Sequence, residues 1–177
     1  MVEDFIPTVS GKKLYYTDPE PEQIEIRDIA HGLAQHPRFG GQTERFFSVA
    51  RHSVLVSREL EEQGYGEEIQ LYGLLHDAAE AYTGDMPAPL KKELNEFQEI
   101  EDQIMDAIWR ALDIPEPSEK DWGKVKEADS VLLKHEAKEL VSLDSWTDAV
   151  ERDYDLESDS MKEDRRRFLE RYRQLKD

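Results

Sequence analysis

The stretch Leu71-Tyr72-Gly73-Leu74-Leu75-His76-Asp77-Ala78-Ala79-Glu80-Ala81-Tyr82-Thr83-Gly84-Asp85-Met86-Pro87 decides how this chain is read. Its first five residues are apolar on most faces of a helix, so a helix over roughly 67–83 is expected to be central and buried. His76 and Asp77 follow directly, and ionisable side chains projecting from a buried helix need a partner or a metal. Glu80 lies three residues after Asp77 and four after His76, on the same helical face. Asp85 sits just beyond, in a turn opened by Gly84. Acidic and basic groups thus gather at one end of one helix.

Working outward, the apolar spacing predicts further helices. Downstream, a long amphipathic helix is expected from Pro89 or Leu90, with Leu94, Phe97, Ile100, Ile104, Ile108 and Leu112 on its inner face. Ile114 to Ser118 reads as a linker. Ser118, with Asp121 three positions on, is a good start signal for a helix whose inner face carries Val125, Ala128, Val131, Leu132, Ala137 and Leu140. Residues 142–160 are acidic and aperiodic, and a surface loop is expected there, followed by a last helix over 160–176. Upstream, helices are expected over roughly 24–35, ended by Pro37, and over roughly 48–63, stopped by Gly64. Residues 38–43 form a loop between them. Residues 1–22 carry three prolines and Ser10-Gly11 between apolar pairs, the pattern of a short hairpin or extended arm. The expectation is one all-α domain over 1–177, with its core over about 24–140 and a short N-terminal arm.

The residues that carry chemistry lie on three of these helices: His52, the pair His76 and Asp77, and Asp129. Nitrogen and carboxylate ligands suit divalent ions such as Mn, Fe, Co or Zn. A bundle interior is where side chains from separate helices meet around one ion. Composition bounds the rest. The formal net charge is −18, from 41 acidic and 23 basic residues. That disfavours duplex nucleic acid, whose phosphates need Lys and Arg, and anionic membranes. It does not exclude a small anion, since a metal or a local cation reverses the nearby potential. Acidic excess with few lysines is also what adaptation to high salt produces. No stretch reaches membrane-spanning length, no basic leader opens the chain, and there are no cysteines. A cytoplasmic protein is expected.

The segment His76 to Lys91 resembles the central motif of the HD-domain phosphohydrolases, in particular the bacterial 5′-deoxynucleotidases. Ser48-Val49-Ala50-Arg51-His52-Ser53 resembles that family's first histidine motif, and Lys126-Glu127-Ala128-Asp129 its last aspartate motif. The upstream piece from Asp28 through Gly41 is similar to small phage and viral HD proteins, among them dATP triphosphohydrolases. The resemblance spans roughly residues 24–140. It implies a helical bundle of the HD type. It also implies that His52, His76, Asp77 and Asp129 hold one divalent ion, Mn, Co, Fe, Zn or Mg, and that Glu80 and Asp85 are the catalytic acids. It further implies that Arg38 binds phosphate, that Phe39 and Pro89 line the sugar or base pocket, and that Lys91 adds positive potential. The family often has Trp where this chain has Phe39.

The expected activity is removal of phosphate or triphosphate from a 5′-(deoxy)nucleotide, a dNMP or a dNTP such as dATP. The alternatives are an HD phosphodiesterase or alarmone-type hydrolase, and a catalytically silent nucleotide-binding regulator. Two-metal members of the superfamily use extra histidines after the central motif, and none occurs between Asp77 and Asp129. The resemblance also makes a homo-oligomer plausible, with the apolar helix after Pro89 as its interface. His31, His36 and His135 are read as structural or exposed, and Trp109 as core.

Overall fold

Each helix starts or stops where the chain can satisfy its free backbone groups. The structure is a computed structural model describing residues 4–141, 154–157 and 160–176. Its helices are α1 (Ile26–Gln35), α2 (Val49–Glu62), α3 (Glu67–Leu75), α4 (Glu80–Thr83), α5 (Ala88–Lys91), α6 (Asn95–Ala111), α7 (Glu119–Val141) and α8 (Met161–Lys176). Ser48 caps α2, its hydroxyl accepting the Arg51 backbone N–H at 3.0 Å. Ser118 caps α7 by accepting the Asp121 backbone N–H at 3.2 Å. The expected arm is a hairpin, β1 (Phe5–Pro7) antiparallel to β2 (Lys13–Tyr15), with Ile6 opposite Leu14. The chain is therefore an all-α fold with a short N-terminal hairpin.

α2 is the axis of the bundle. Every residue from Val49 to Ser57 is buried, because α1, α3, α7 and α8 all pack around it. α8 closes the back, resting on α1, α2 and α3 and burying Phe168 completely. Asp164 on α8 accepts the Ser48 hydroxyl at 2.7 Å, so the last helix braces the cap of the second. Trp109 is core, as expected. Among the described residues no helix is long and apolar enough to cross a membrane.

Two expectations need correction, and a third falls mostly outside the described residues. The helix expected over 67–83 is two helices. Between them the backbone tightens to three-residue hydrogen bonds, Ala78 N–H to Leu75 O at 2.9 Å and Glu80 N–H to Asp77 O at 3.0 Å. Three residues per turn swing adjacent side chains further apart than an α-helix does, which re-aims His76 and Asp77. The helix expected from Pro89 to Leu112 is also broken. Leu94 takes a non-helical conformation (φ −123°, ψ 77°), and the Gln98 side chain donates to the Lys91 carbonyl at 2.8 Å, satisfying the end of α5. Leu94 is consequently exposed rather than core, as is Val131 on α7. Most of the acidic loop expected over 142–160 lies outside the described residues. Where it is described it is docked, with Leu156 buried and Arg51 donating to the Asp155 carboxylate at 2.9 Å.

The hairpin and α1 together support α4. Tyr16 donates its hydroxyl to the Tyr82 carbonyl at 2.7 Å, and Ser10 donates to Asp28 of α1 through its hydroxyl at 2.7 Å and its backbone N–H at 2.9 Å. Gly32 lets α1 lie against α4: a Cβ there would meet the Ala81 carbonyl oxygen and would lie 2.9 Å from the Ala81 Cα. Gly32→Ala must push the two helices apart, and overpacking of this kind costs about 1–3 kcal/mol. Urea unfolding is expected to show that loss. Gly123→Ala on α7, where a Cβ meets nothing within 4 Å, is expected to be neutral or stabilising, because Ala is the better helix former. Equal midpoints for the two variants would contradict the close-approach role of Gly32.

Candidate metal centre

Four chain segments deliver the site. α2 supplies His52, the tight turn between α3 and α4 supplies His76 and Asp77, and α7 supplies Asp129. The Arg38–Gly41 turn after α1 supplies Arg38 and Phe39. That turn is held to α2 through the Arg38 backbone N–H, which donates to the Phe47 carbonyl at 2.8 Å. Phe39 has a positive φ of 55° and Gly40 one of 59°, a conformation costly for a bulky side chain. Glu80 opens α4, and Asp85 follows Gly84, whose φ of 84° makes the turn.

His52, His76 and Asp129 present ligand atoms that all lie within 4.8 Å of one another, and together they can hold a metal ion. The two Nε2 atoms are 3.3 Å apart, and His52 Nε2 is 3.1 Å from Asp129 Oδ1. Asp77 Oδ2 stands beside them, 3.1 Å from His76 Nε2 and 3.8 Å from His52 Nε2. Ligand atoms about 2.1 Å from a shared ion lie roughly 3.0–3.4 Å apart at tetrahedral or octahedral angles; three of the spacings match this, and His52–Asp77 at 3.8 Å and His76–Asp129 at 3.9 Å are wider.

The tautomers fit as well. His52 Nδ1 faces the Glu136 carboxylate at 2.6 Å, and His76 Nδ1 faces the Gly73 carbonyl at 2.7 Å. Both partners accept, so each Nδ1 carries hydrogen and each Nε2 is left as the ligand atom. Two facing lone pairs repel, and a cation or a proton between them removes that repulsion.

The electrostatics follow the same logic. Burial opposes a charge on His76, yet Asp77 beside it outweighs burial and lifts its pKa to about 9. His52 is also raised: burial and Arg38 oppose its charge, while Glu136 and Asp129 favour it. Burial pushes Asp77 up, but the imidazole of His76 holds it far below the usual carboxylate range. Glu80 goes the other way. Burial, with Asp77 and Asp85 as like charges, pushes it well above its ordinary value. Asp85 is raised by burial too, against the pull of Arg38. One carboxylate oxygen of Glu80 and one of Asp85 are buried without a hydrogen-bond partner.

These residues wall a cavity of about 410 Å³. Arg38, Asp77, Glu80, Asp85 and Asp129 form its ionic side, and Phe39, Met86, Pro87, Pro89, Leu133 and Val141 its apolar side. Lys91 also lines it, but its ammonium is engaged by Glu80 at 3.2 Å and Glu101 at 3.0 Å. Of the residues the sequence singled out for the site, Arg38, Phe39, Asp77, Glu80, Asp85, Pro89, Lys91 and Asp129 line the cavity, whereas His52 and His76 lie behind Asp77 and Asp129 and are not part of its lining.

The sequence reading missed Glu136. It is fully buried on α7, two helical turns beyond Asp129, and the clue was a lone acid inside the apolar stripe of Leu132, Ala137 and Leu140. It also missed the buried Glu101. His135 is buried against the Tyr154 ring, with centroids 4.9 Å apart, and takes no part in the cavity.

The uncharacterized protein YfdR of Escherichia coli (strain K12) is 38% identical over 136 residues, covering 77% of this chain and 72% of YfdR. The chain belongs to the same family as YfdR. A second relative, an uncharacterized protein of Rhodobacter capsulatus, is 38% identical over 138 residues, covering 75% of this chain and 70% of that protein. No family model matches the chain.

The protonation pattern makes ion binding pH-dependent. Without an ion, His76 keeps a proton up to about pH 9, and an incoming ion must displace it. Apparent affinity for Mn²⁺ or Co²⁺ is therefore expected to rise with pH by about tenfold per unit for a one-proton exchange, levelling off above the pKa of His76. Calorimetric titration across buffers checks this, with proton release seen as a dependence on buffer ionisation heat. An affinity equal in acidic and neutral buffer would contradict it.

Proposed function

We propose that the chain is a metal-dependent phosphohydrolase of the HD type, acting on the phosphate ester of a small 5′-(deoxy)nucleotide and releasing the nucleoside. The observation that carries this reading is the position of Arg38 beside the candidate metal ligands. Its Nε and Nη2 are held by Glu136, each at 3.2 Å. Its Nη1 faces Asp77 at 4.0 Å and Asp85 at 3.9 Å, beyond hydrogen-bond reach of either. One arm of a charged fork is thus directed into a cavity next to a His/His/Asp cluster, where it can donate to a phosphoryl oxygen. The motif resemblance, H…HD…D with Glu80 and Asp85 in place, supports the same chemistry.

A divalent ion, when bound, supplies Lewis acidity toward the phosphoryl group and lowers the pKa of a water. Its nitrogen and oxygen ligands suit Mn, Co, Fe, Zn or Mg. The chain does the rest. Arg38 binds and orients the phosphate. Glu80 and Asp85, with raised pKa values, are suited to the two proton movements of hydrolysis. A proton leaves the attacking water as its oxygen joins phosphorus, and a proton reaches the ester oxygen as the P–O bond breaks. Lys91 fixes one oxygen of Glu80 and leaves the other free for that exchange. The apolar wall, with Phe39, Met86 and Leu133, offers a dry surface for a sugar and base.

Charge favours a monophosphate over a triphosphate. Two cationic side chains, Arg38 and Lys91, face four carboxylates in the cavity wall, and Lys91 is already paired. Among the described residues, nothing else cationic in that lining stands ready for the β- and γ-phosphates. The cytoplasm is the expected setting, with neither duplex nucleic acid nor membrane as partner.

The decisive assay is release of nucleoside and phosphate from dNMPs, dNDPs and dNTPs with each ion. Ion-dependent release from a monophosphate is expected. Asp77→Ala should lower it by roughly 10²-fold or more. Glu80→Gln should lower it by about 10²- to 10⁴-fold, the usual worth of a positioned acid or base, while leaving ion binding in place. Folded, ion-loaded protein that turns over no nucleotide would sink the proposal and favour a binding regulator.

A further inference from the structure

Glu136 is a fully buried carboxylate, and burying a charge is costly unless it is paired. It has two partners from two different parts of the site. One oxygen accepts from His52 Nδ1 at 2.6 Å, and the other accepts from Arg38 Nε at 3.2 Å, with Nη2 in ion-pair contact at the same 3.2 Å. His52 belongs to the metal cluster and Arg38 to the phosphate end of the cavity. The Arg38 backbone is pinned through its N–H on Phe47, so only its side chain has freedom. That side chain has a competing destination, since Nη1 already lies 4.0 Å from Asp77 and 3.9 Å from Asp85. A closer approach would place a guanidinium on a carboxylate that the ion needs.

Resting on the metal-dependent reading above, we propose that Glu136 is a positioning residue that couples the two ends of the site: it keeps the His52 imidazole turned toward the ion and holds the Arg38 guanidinium back from Asp77. Ion and phosphate then do not compete for the same side chains. Glu136 touches neither of them. Its effect on the ion runs through His52 and through restraint of Arg38, and its effect on phosphate runs through the aim of Nη1. A mere structural ion pair would stabilise the fold and leave both affinities alone.

The test is a double-mutant cycle read by Mn²⁺ calorimetry on the ion-free full chain: wild type, Glu136→Gln, Arg38→Met and the double variant, each checked for fold by circular dichroism. Glu136→Gln is expected to weaken Mn²⁺ binding by about 10- to 100-fold, the usual effect of disturbing the group behind a metal-binding histidine, because the amide carries no charge and has a single acceptor oxygen for two donors. Arg38→Met should recover part of that loss, and should raise Mn²⁺ affinity more in the Glu136→Gln background than in wild type, a non-additivity that reports the coupling. Inorganic phosphate should also bind Mn²⁺-loaded Glu136→Gln more weakly than wild type, although Arg38 is intact. Mn²⁺ affinity within about twofold of wild type, or additive behaviour of the two substitutions, overturns the proposal. If Glu136→Gln does not fold, Glu136→Asp replaces it, keeping the charge but withdrawing it by one methylene. The same direction and the same recovery are then expected, and their absence is equally fatal. Wild type that binds Mn²⁺ and shows this coupling, yet hydrolyses no nucleotide, would end the enzymatic reading and leave the coupling standing. Wild type that binds no divalent ion would end both.

Discussion

The close packing of α2 against α3 is the constraint on which the site depends. Gly73 makes it possible: a Cβ there would run into the Leu60 side chain and would lie 3.4 Å from Val56 and 3.5 Å from the Ser57 backbone. With no side chain in the way, the helices approach until His52 Nε2 and His76 Nε2 stand 3.3 Å apart. Gly73 also supplies the carbonyl that takes the His76 Nδ1 hydrogen. One residue therefore sets both the distance between the imidazoles and the tautomer of one of them. Packing of this density transmits small displacements rather than absorbing them, so the spacing of the two imidazoles is a property of the core and not of a surface loop.

Around that pair the charges alternate. Glu136 lies behind His52 and Arg38, Arg38 stands between Glu136 and the pair Asp77 and Asp85, and Lys91 joins Glu80 to Glu101. Each buried charge has an opposite neighbour, which is how a protein keeps ionised groups out of water. Glu80 and Asp85 each keep a buried oxygen without a hydrogen bond, as Tyr82 and His135 keep a buried polar atom elsewhere in the fold. Of these, only the two carboxylates line the cavity, where a ligand could complete them.

Much of this was legible in the sequence because it rests on local rules. Apolar spacing located the helices, Ser48 and Ser118 marked two helix starts, and the run of Leu71 to Leu75 showed that His76 and Asp77 leave a buried element. What escaped was decided by tertiary contacts. Periodicity did not show that the helix breaks at His76, because the tight turn is set by where those side chains must point. It placed Leu94 and Val131 in the core, whereas a backbone break and the limited width of the α7 contact leave both exposed. Glu136 looked like any acid on an acidic chain. Its significance comes from His52 and Arg38, 84 and 98 residues away, and no local pattern encodes such a separation. Lys91 was expected to offer free positive charge and is instead tied up by Glu101, a residue with no local signal.

The spread of the site along the chain bears on how the protein is made. α2 and α3 leave the ribosome with His52, His76 and Asp77, but the third member of the cluster waits for Asp129 and its anchoring carboxylate for Glu136. The cap of α2 gains its brace only when Asp164 arrives. A nascent chain thus displays two histidines and one acid, a loose ligand set open to whatever ion is nearby, long before the full set exists. On the metal-dependent proposal, ion loading is in this sense a late event, gated by chain length, because the full ligand set exists only in the completed protein.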